Sequence, residues 1–140
     1  MTSTPLPPDY RPNASEPFMS PMQRAYFRLR LLRWRESLLQ DSSETVQHLR
    51  QAGQPEPDFT DRASRETDHA VELRTRDRAR KLIAKIGDAL RRMDQGMYGY
   101  CAETREPISL RRLEARPIAT LSLEAQERHE RLERTQRDAR

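Results

Sequence analysis

In 140 residues, 26 Lys plus Arg face 22 Asp plus Glu, and there is one Cys. An ordinary domain is roughly 45–50% apolar and about 25% charged; at 34% of each, this chain excludes a large compact core and reads as long helices or disorder. A lone Cys excludes an internal disulfide, a four-Cys zinc site and an iron–sulfur cluster, and fits a reducing, cytoplasmic compartment; no run approaches the ~18 apolar residues of a membrane span.

Residues 1–21 carry six of the ten prolines. Pro lacks an N–H and disfavours the α region in the residue before it, so this segment is expected to be a disordered tail. From Met22 the pattern changes. Phe27, Leu31, Trp34 and Leu38 recur at alternating steps of four and three, a heptad seam. Its continuation, Asp41, Thr45 and His48, is polar. Gly53, Pro55 and Pro57 then stop the helix.

A second helix is expected to begin at Thr60 or Asp61, whose side-chain oxygens suit an N-cap. Its seam is clearest late, at Ile83, Ile86, Leu90 and Met93, while earlier positions such as Ala63 and Ala70 are small or polar. It ends near Gln95, with Gly96 as C-cap. Two helices joined by a short turn run antiparallel, and ~30 residues make a rod about 45 Å long. The apolar ends, Phe27–Leu38 and Leu82–Met93, meet at the base; the polar ends meet at a tip across residues 56–63.

Residues 96–140 are short and mixed. Tyr98-Gly99-Tyr100-Cys101 is an aromatic–glycine cluster, and Ile108, Leu110, Leu113, Ile118, Leu121 and Leu123 can form a small satellite core. A last helix runs from about Leu123, with Glu124–Arg128 and Glu130–Arg134 as i,i+4 pairs in the favourable order. The expected fold is mostly α: a long antiparallel coiled-coil hairpin over 22–95, a small globular part, and a C-terminal helix.

Enzymatic chemistry finds little support. Asp58 and Asp61 are neighbouring carboxylates, a pair able to do acid/base work or hold Mg²⁺. A loop at the end of a thin rod offers no pocket of its own, so a solvated turn is the plainer reading of that pair. His48, His69 and His129 are scattered among polar residues and expected to face solvent. Cys101 has no His nearby in sequence. The mixed charges read as solvated helix faces before they read as a nucleic-acid surface.

The run Leu73-Arg74-Thr75-Arg76-Asp77-Arg78-Ala79-Arg80-Lys81-Leu82-Ile83-Ala84-Lys85-Ile86, then Tyr98-Gly99-Tyr100-Cys101, then Leu110-Arg111-Arg112-Leu113-Glu114-Ala115-Arg116-Pro117 resembles the DksA/TraR family of bacterial transcription factors. The tip sequence Asp58-Phe59-Thr60-Asp61-Arg62-Ala63 strengthens the likeness, which covers all but the tail. The long first helix places it with the DksA branch rather than the short TraR forms. The resemblance implies a cytoplasmic, monomeric factor that is not an enzyme and binds no specific DNA sequence. Such factors put the hairpin into the secondary channel of RNA polymerase and change the lifetime of initiation complexes, an effect strengthened by guanosine tetraphosphate. It implies that Asp58, Asp61 and Ala63 act at the tip, that Arg78 touches polymerase, and that Leu82, Lys85 and Arg116 face the nucleotide. A further basic family position falls on Gln126 here, which implies weaker coupling to the nucleotide.

The chain departs from the family at the zinc site. The four ligand positions are Cys101, Thr104, Ser122 and Ala125. One thiolate cannot supply a tetrahedral site, so a degenerate zinc-finger-like domain without zinc is expected, held by packing of Tyr98, Tyr100, Leu110, Leu113, Ile118 and Leu121. Two readings of Cys101 stand side by side: an inert buried thiol, or a redox-sensitive one activated by Arg105, Arg111 and Arg112. Two rival functions also stand: a coiled-coil adaptor that does not enter polymerase, and a Gre-like factor whose acidic tip promotes transcript cleavage.

Overall fold

The structure, a computed structural model, describes residues 5–51 and 59–138. It is mostly α, with α1 over Pro21–Gln51, α2 over Phe59–Asp94, α3 over Leu110–Ala115 and α4 over Leu123–Asp138. The start of α1 and the end of α2 fall within one residue of those the sequence predicts and α4 begins at the expected Leu123; the expected end of α1 near Gly53 lies outside the described residues, and α3 was not foreseen. No helix among the described residues is long and apolar enough to cross a membrane.

Four of the helix ends among the described residues have a visible local cause. Ser20 caps α1: its hydroxyl accepts from the Gln23 N–H and its carbonyl from the Arg24 N–H. Pro21 then takes the first helical position, where its missing N–H costs nothing. At the end of α2, Gly96 has φ +74°. Its N–H bonds to the Met93 carbonyl while the Met97 N–H reaches the Arg92 carbonyl, a Schellman closure that wants glycine at the left-handed position. Ser109 caps α3 by accepting from the Arg112 N–H at 3.2 Å, and Ser122 caps α4 by accepting from the Ala125 N–H at 3.3 Å.

Helices α1 and α2 form the antiparallel hairpin. Arg28 pairs with Asp94 at 2.5 Å and His48 with Glu72 at 2.6 Å; the partner number falls as the residue number rises, as antiparallel pairing requires. The described residues divide into two compact units. One holds those up to Leu31 with those from Asp88 onward, and the other holds Leu32–Gly87.

The first unit carries nearly all of the core. Phe27, Leu31, Ala89, Met93, Tyr98, Ile108 and Leu113 are buried, with Cys101 and Ala125 among them. The Phe27 ring meets Tyr26 edge-on at 5.2 Å and Tyr98 at 5.9 Å. Tyr98 donates its hydroxyl to the Pro117 carbonyl at 2.8 Å; burial is the main reason its pKa is pushed well up. A small loop is closed by an antiparallel bridge between Tyr100 and Pro107, with Cys101 N–H on the Glu106 carbonyl and Ile108 N–H on the Gly99 carbonyl. This loop, not a strand pair of any length, carries the aromatic cluster.

The second unit is thin. Of its described side chains only Ile86 is fully buried; Trp34, Leu38, Ser42, Val46, Arg65, Glu72, Ala79, Leu82 and Ile83 are half-buried. On α2 the covered positions Arg65, Glu72, Ala79, Ile86 and Met93 keep a step of seven, whereas Ala63 and Ala70 are exposed. On α1 the expected continuation through Asp41 and His48 is exposed, and Ser42 and Val46 are covered instead. Beyond Leu38 the step becomes four. An α-helix has 3.6 residues per turn, so where the heptad positions carry polar Asp41 and His48 nothing holds a 3.5 period and the covered stripe drifts.

The tail differs from the expectation of disorder over 1–21. Residues 5–20 contain turns and no helix, as six prolines in the first 21 residues dictate, but the segment is tied down. Gln23, fully buried, accepts from the Met19 N–H at 2.8 Å and donates to the Asn13 carbonyl at 3.1 Å and to Glu16 at 3.3 Å. A buried amide left unpaired is costly, and the tail supplies all of these partners.

Candidate functional site

The residues of interest fall in three places. The tip comes first. Asp58, with Glu56 and Pro57, lies outside the described residues. Asp61 stands in the first turn of α2, and its side chain is outside the described ones. Ala63 is exposed on α2.

Along α2, Arg78 and Lys85 are exposed and Leu82 half-buried. Leu82 and Lys85 are three residues apart, the spacing of neighbours on a helix surface. Neither Arg78 nor Lys85 meets a carboxylate among the described residues. Other basic side chains nearby are engaged. Asp77 takes Arg80 at 2.5 Å and Lys81 at 3.3 Å, and the Arg80 and Lys81 hydrogen bonds hold its carboxyl below the usual range. Asp88 takes Arg91. Arg116, in the other unit, is the C-cap of α3; its N–H bonds to the Arg112 carbonyl at 2.8 Å and its side chain is exposed. Gln126 donates to Glu130 at 3.3 Å, so this position presents a neutral amide coupled to an acid, not a cation.

The third place is the degenerate finger. Cys101 is buried, Thr104 exposed, Ser122 half-buried and Ala125 buried. Burial works against ionising the thiol. It is outweighed by hydrogen bonds to the sulfur from the Thr104 hydroxyl and from the backbone at Thr104, Ser122 and Glu103, which together bring the pKa down to about 6. Two former ligand positions thus gather around the sulfur as hydrogen-bond donors. The groups acting on the thiol are thus Thr104, Ser122 and Glu103; of the arginines expected beside it, Arg112 donates to the Leu121 carbonyl at 2.9 Å, and Arg105 and Arg111 are exposed. As a metal centre the donor set is poor. It offers one thiol and two hydroxyls, and Ala125 brings no donor atom. No group of three or more His, Cys, Asp or Glu is placed to hold a metal ion among the described residues.

The histidines are exposed, as expected, but two have partners: His48 meets Glu72 and His129 meets Glu103. Gln23 and the pair Tyr26–Glu114, joined at 3.0 Å, had no sequence signal, because their partners are a backbone carbonyl, a tail amide and a residue 88 positions away.

Known proteins match this chain along most of its length. The family model for the DnaK suppressor protein DksA, N-terminal domain, matches residues 23–93. That for the prokaryotic dksA/traR C4-type zinc finger matches residues 96–131, although three of the four Cys positions are substituted here. The RNA polymerase-binding transcription factor DksA of Caulobacter vibrioides is 62% identical over 130 residues, 93% of this chain and 92% of that one. The Escherichia coli K12 protein of the same name is 40% identical over 115 residues, 82% of this chain and 76% of that one. Among solved structures, transcription factor DksA2 from Pseudomonas aeruginosa superposes with a TM-score of 0.79 at 44% identity, covering 89% of this chain and 94% of that one.

Proposed function

This chain belongs to the DksA family, and from that membership we propose that it is a transcription regulator that binds RNA polymerase and carries its hairpin into the enzyme's secondary channel. The likeness to the Caulobacter factor over almost the whole length carries this reading. The geometry suits it. Helices of 31 and 36 residues make a rod of roughly 45–55 Å, and most of its charge lies on exposed faces. Asp58, Asp61 and Ala63 act at the tip by contact with polymerase, not by catalysis. Arg78 meets polymerase along the rod. The chain works as a monomer in the cytoplasm, where its partner is.

Leu82, Lys85 and Arg116 take part in binding guanosine tetraphosphate at the polymerase interface. Two exposed cations without carboxylate partners suit a polyphosphate, since charge-assisted bonds to phosphate are about twice as strong as neutral ones. The neutral Gln126 weakens the coupling without abolishing it. The lifetime of promoter complexes formed with purified polymerase tests the whole reading. The chain should shorten it, more strongly with the nucleotide. Lys85→Ala should raise the nucleotide concentration needed by roughly ten- to 150-fold, as expected for one lost charge-assisted bond of about 1.5–3 kcal/mol. A chain with no effect on the complexes, or a Lys85→Ala variant with unchanged nucleotide dependence, contradicts the corresponding part.

The protein works without zinc, its finger held by packing and by the hydrogen bonds around Cys101. Metal analysis of chain purified without chelators should find far less than one zinc per chain, and thermal unfolding should not shift on adding a chelator. Zinc in one-to-one amount would refute this.

A further inference from the structure

We propose that the Pro-rich segment from Tyr10 to Ser20 is a strap that closes the first unit over the turn leading into Cys101, and that this turn stays folded because the strap is fastened. The proposal builds on the metal-free reading, since a finger without a metal needs another closure.

The strap is fastened at three points. Its near end is locked by Gln23, buried at the start of α1, whose amide accepts from Met19 N–H and donates to the Asn13 carbonyl and to Glu16. Its far end is locked by Tyr10, which donates to the same Glu16 oxygen at 2.6 Å and packs edge-on against Tyr26 with centroids 6.1 Å apart. Burial, then the bond to Glu16, pushes the Tyr10 pKa up to about 12, so the hydroxyl stays a donor at neutral pH. Tyr26 in turn donates to Glu114 of the short helix after the loop. One chain of contacts therefore runs from the strap to α1 through the Tyr10–Tyr26 ring edge and on to α3 through the Tyr26–Glu114 hydrogen bond.

The third point is the strap's contact with the finger. Phe18 meets Tyr100 edge-on at 5.3 Å. Gly99 is left-handed at φ +88°, and a Cβ there would stand 3.1 Å from Met19 Cε and 3.2 Å from Phe18 Cζ. The two strap side chains thus lie directly on the backbone of the Gly99 turn, where a Cβ would force them back by a few tenths of an ångström. Gly99 is also the residue whose carbonyl receives the Ile108 N–H that closes the loop. Met19 itself is held at φ +54°, a conformation unfavourable for a side-chain-bearing residue, and the bond from its N–H to Gln23 holds it there. Strap and loop support each other through these contacts.

Hydrogen exchange on the full chain reads this directly. The amides of Cys101, Ala102 and Ile108, which donate to Glu106, Thr120 and Gly99, report whether the loop is closed. Gln23→Ala should reduce their protection by roughly tenfold or more, since local opening is set by the contacts of the cooperative unit, with amides of the Leu32–Gly87 unit unchanged. Tyr10→Phe keeps the ring and removes only the fastening hydroxyl; it should reduce the same protection by about threefold, and it decides the matter if Gln23→Ala does not fold. Unchanged protection in the finger, or a loss spread equally over both units, overturns the strap. Zinc content is measured on the same wild-type sample, so failure of the metal-free reading is seen separately from failure of the strap.

Discussion

Asp61→Asn is expected to leave a folded protein that still occupies polymerase but no longer shortens promoter-complex lifetime. The substitution keeps the shape and removes one charge. A charge-assisted contact is worth about 1.5–3 kcal/mol, which at 1.36 kcal/mol per decade is roughly a ten- to 150-fold loss of effect. The cost to folding is far smaller. Asp61 lies in the first turn of α2, where a carboxylate contributes only about 0.3–1 kcal/mol through the helix dipole. Competition binding to core polymerase should change by less than about threefold, because the rod and the first unit are untouched. Separation of binding from effect is the decisive feature. If Asp61→Asn and the parent chain shorten lifetimes alike, the tip does not act through this carboxylate. If binding and effect fall together, Asp61 is an ordinary docking residue.

The second large effect concerns stability. Phe27→Ala is expected to cost about 3–5 kcal/mol, the usual range for a buried aromatic truncated to Ala. Phe27 is 0% exposed, and its ring meets Tyr26 edge-on and Tyr98 at a tilt. The loss is a large share of the ~5–15 kcal/mol that holds a domain together. In urea unfolding followed by near-ultraviolet dichroism of the tyrosines, the midpoint should fall sharply. Leu39→Ala is the control: Leu39 is 53% exposed, and its loss should stay within about 0.5 kcal/mol. A Phe27→Ala midpoint close to the control's would mean that the first unit is not held by this aromatic cluster.

Legibility in the sequence followed the length of the local signal. Gly96 announces the end of α2 because a Schellman closure needs a left-handed residue, a signal that acts through the backbone of neighbouring residues; the stop expected at Gly53, Pro55 and Pro57 lies outside the described residues. The seam residues Phe27, Leu31, Ile86, Leu90 and Met93 were legible by spacing and are buried. Helix α3 was not, because Leu110–Ala115 is shorter than two turns and shows no periodicity. The heptad reading of α1 failed beyond Leu38, where the heptad positions Asp41 and His48 are polar and exposed and Ser42 and Val46 are covered instead.

The site divides in the same way. Lys85 and Arg78 can be placed on an exposed face of α2 from helical spacing alone. The surroundings of Cys101 cannot. Sequence neighbours suggested arginines as the activating groups, whereas the thiol meets Thr104 and the backbone at Ser122, 21 residues away.

By itself, the order of residues determined the two long helices, their antiparallel pairing and the presence of a single thiol among the four finger positions. These depend on backbone propensity, periodicity and the identity of single side chains, all of which act over a few residues. Only the tertiary structure decided that the Pro-rich segment is tied to Gln23, that Glu114 answers Tyr26, and that Cys101 sits in a nest of hydrogen-bond donors. Those outcomes require burial, which makes unpaired polar groups costly, and burial is a property of the packed chain rather than of any stretch of it.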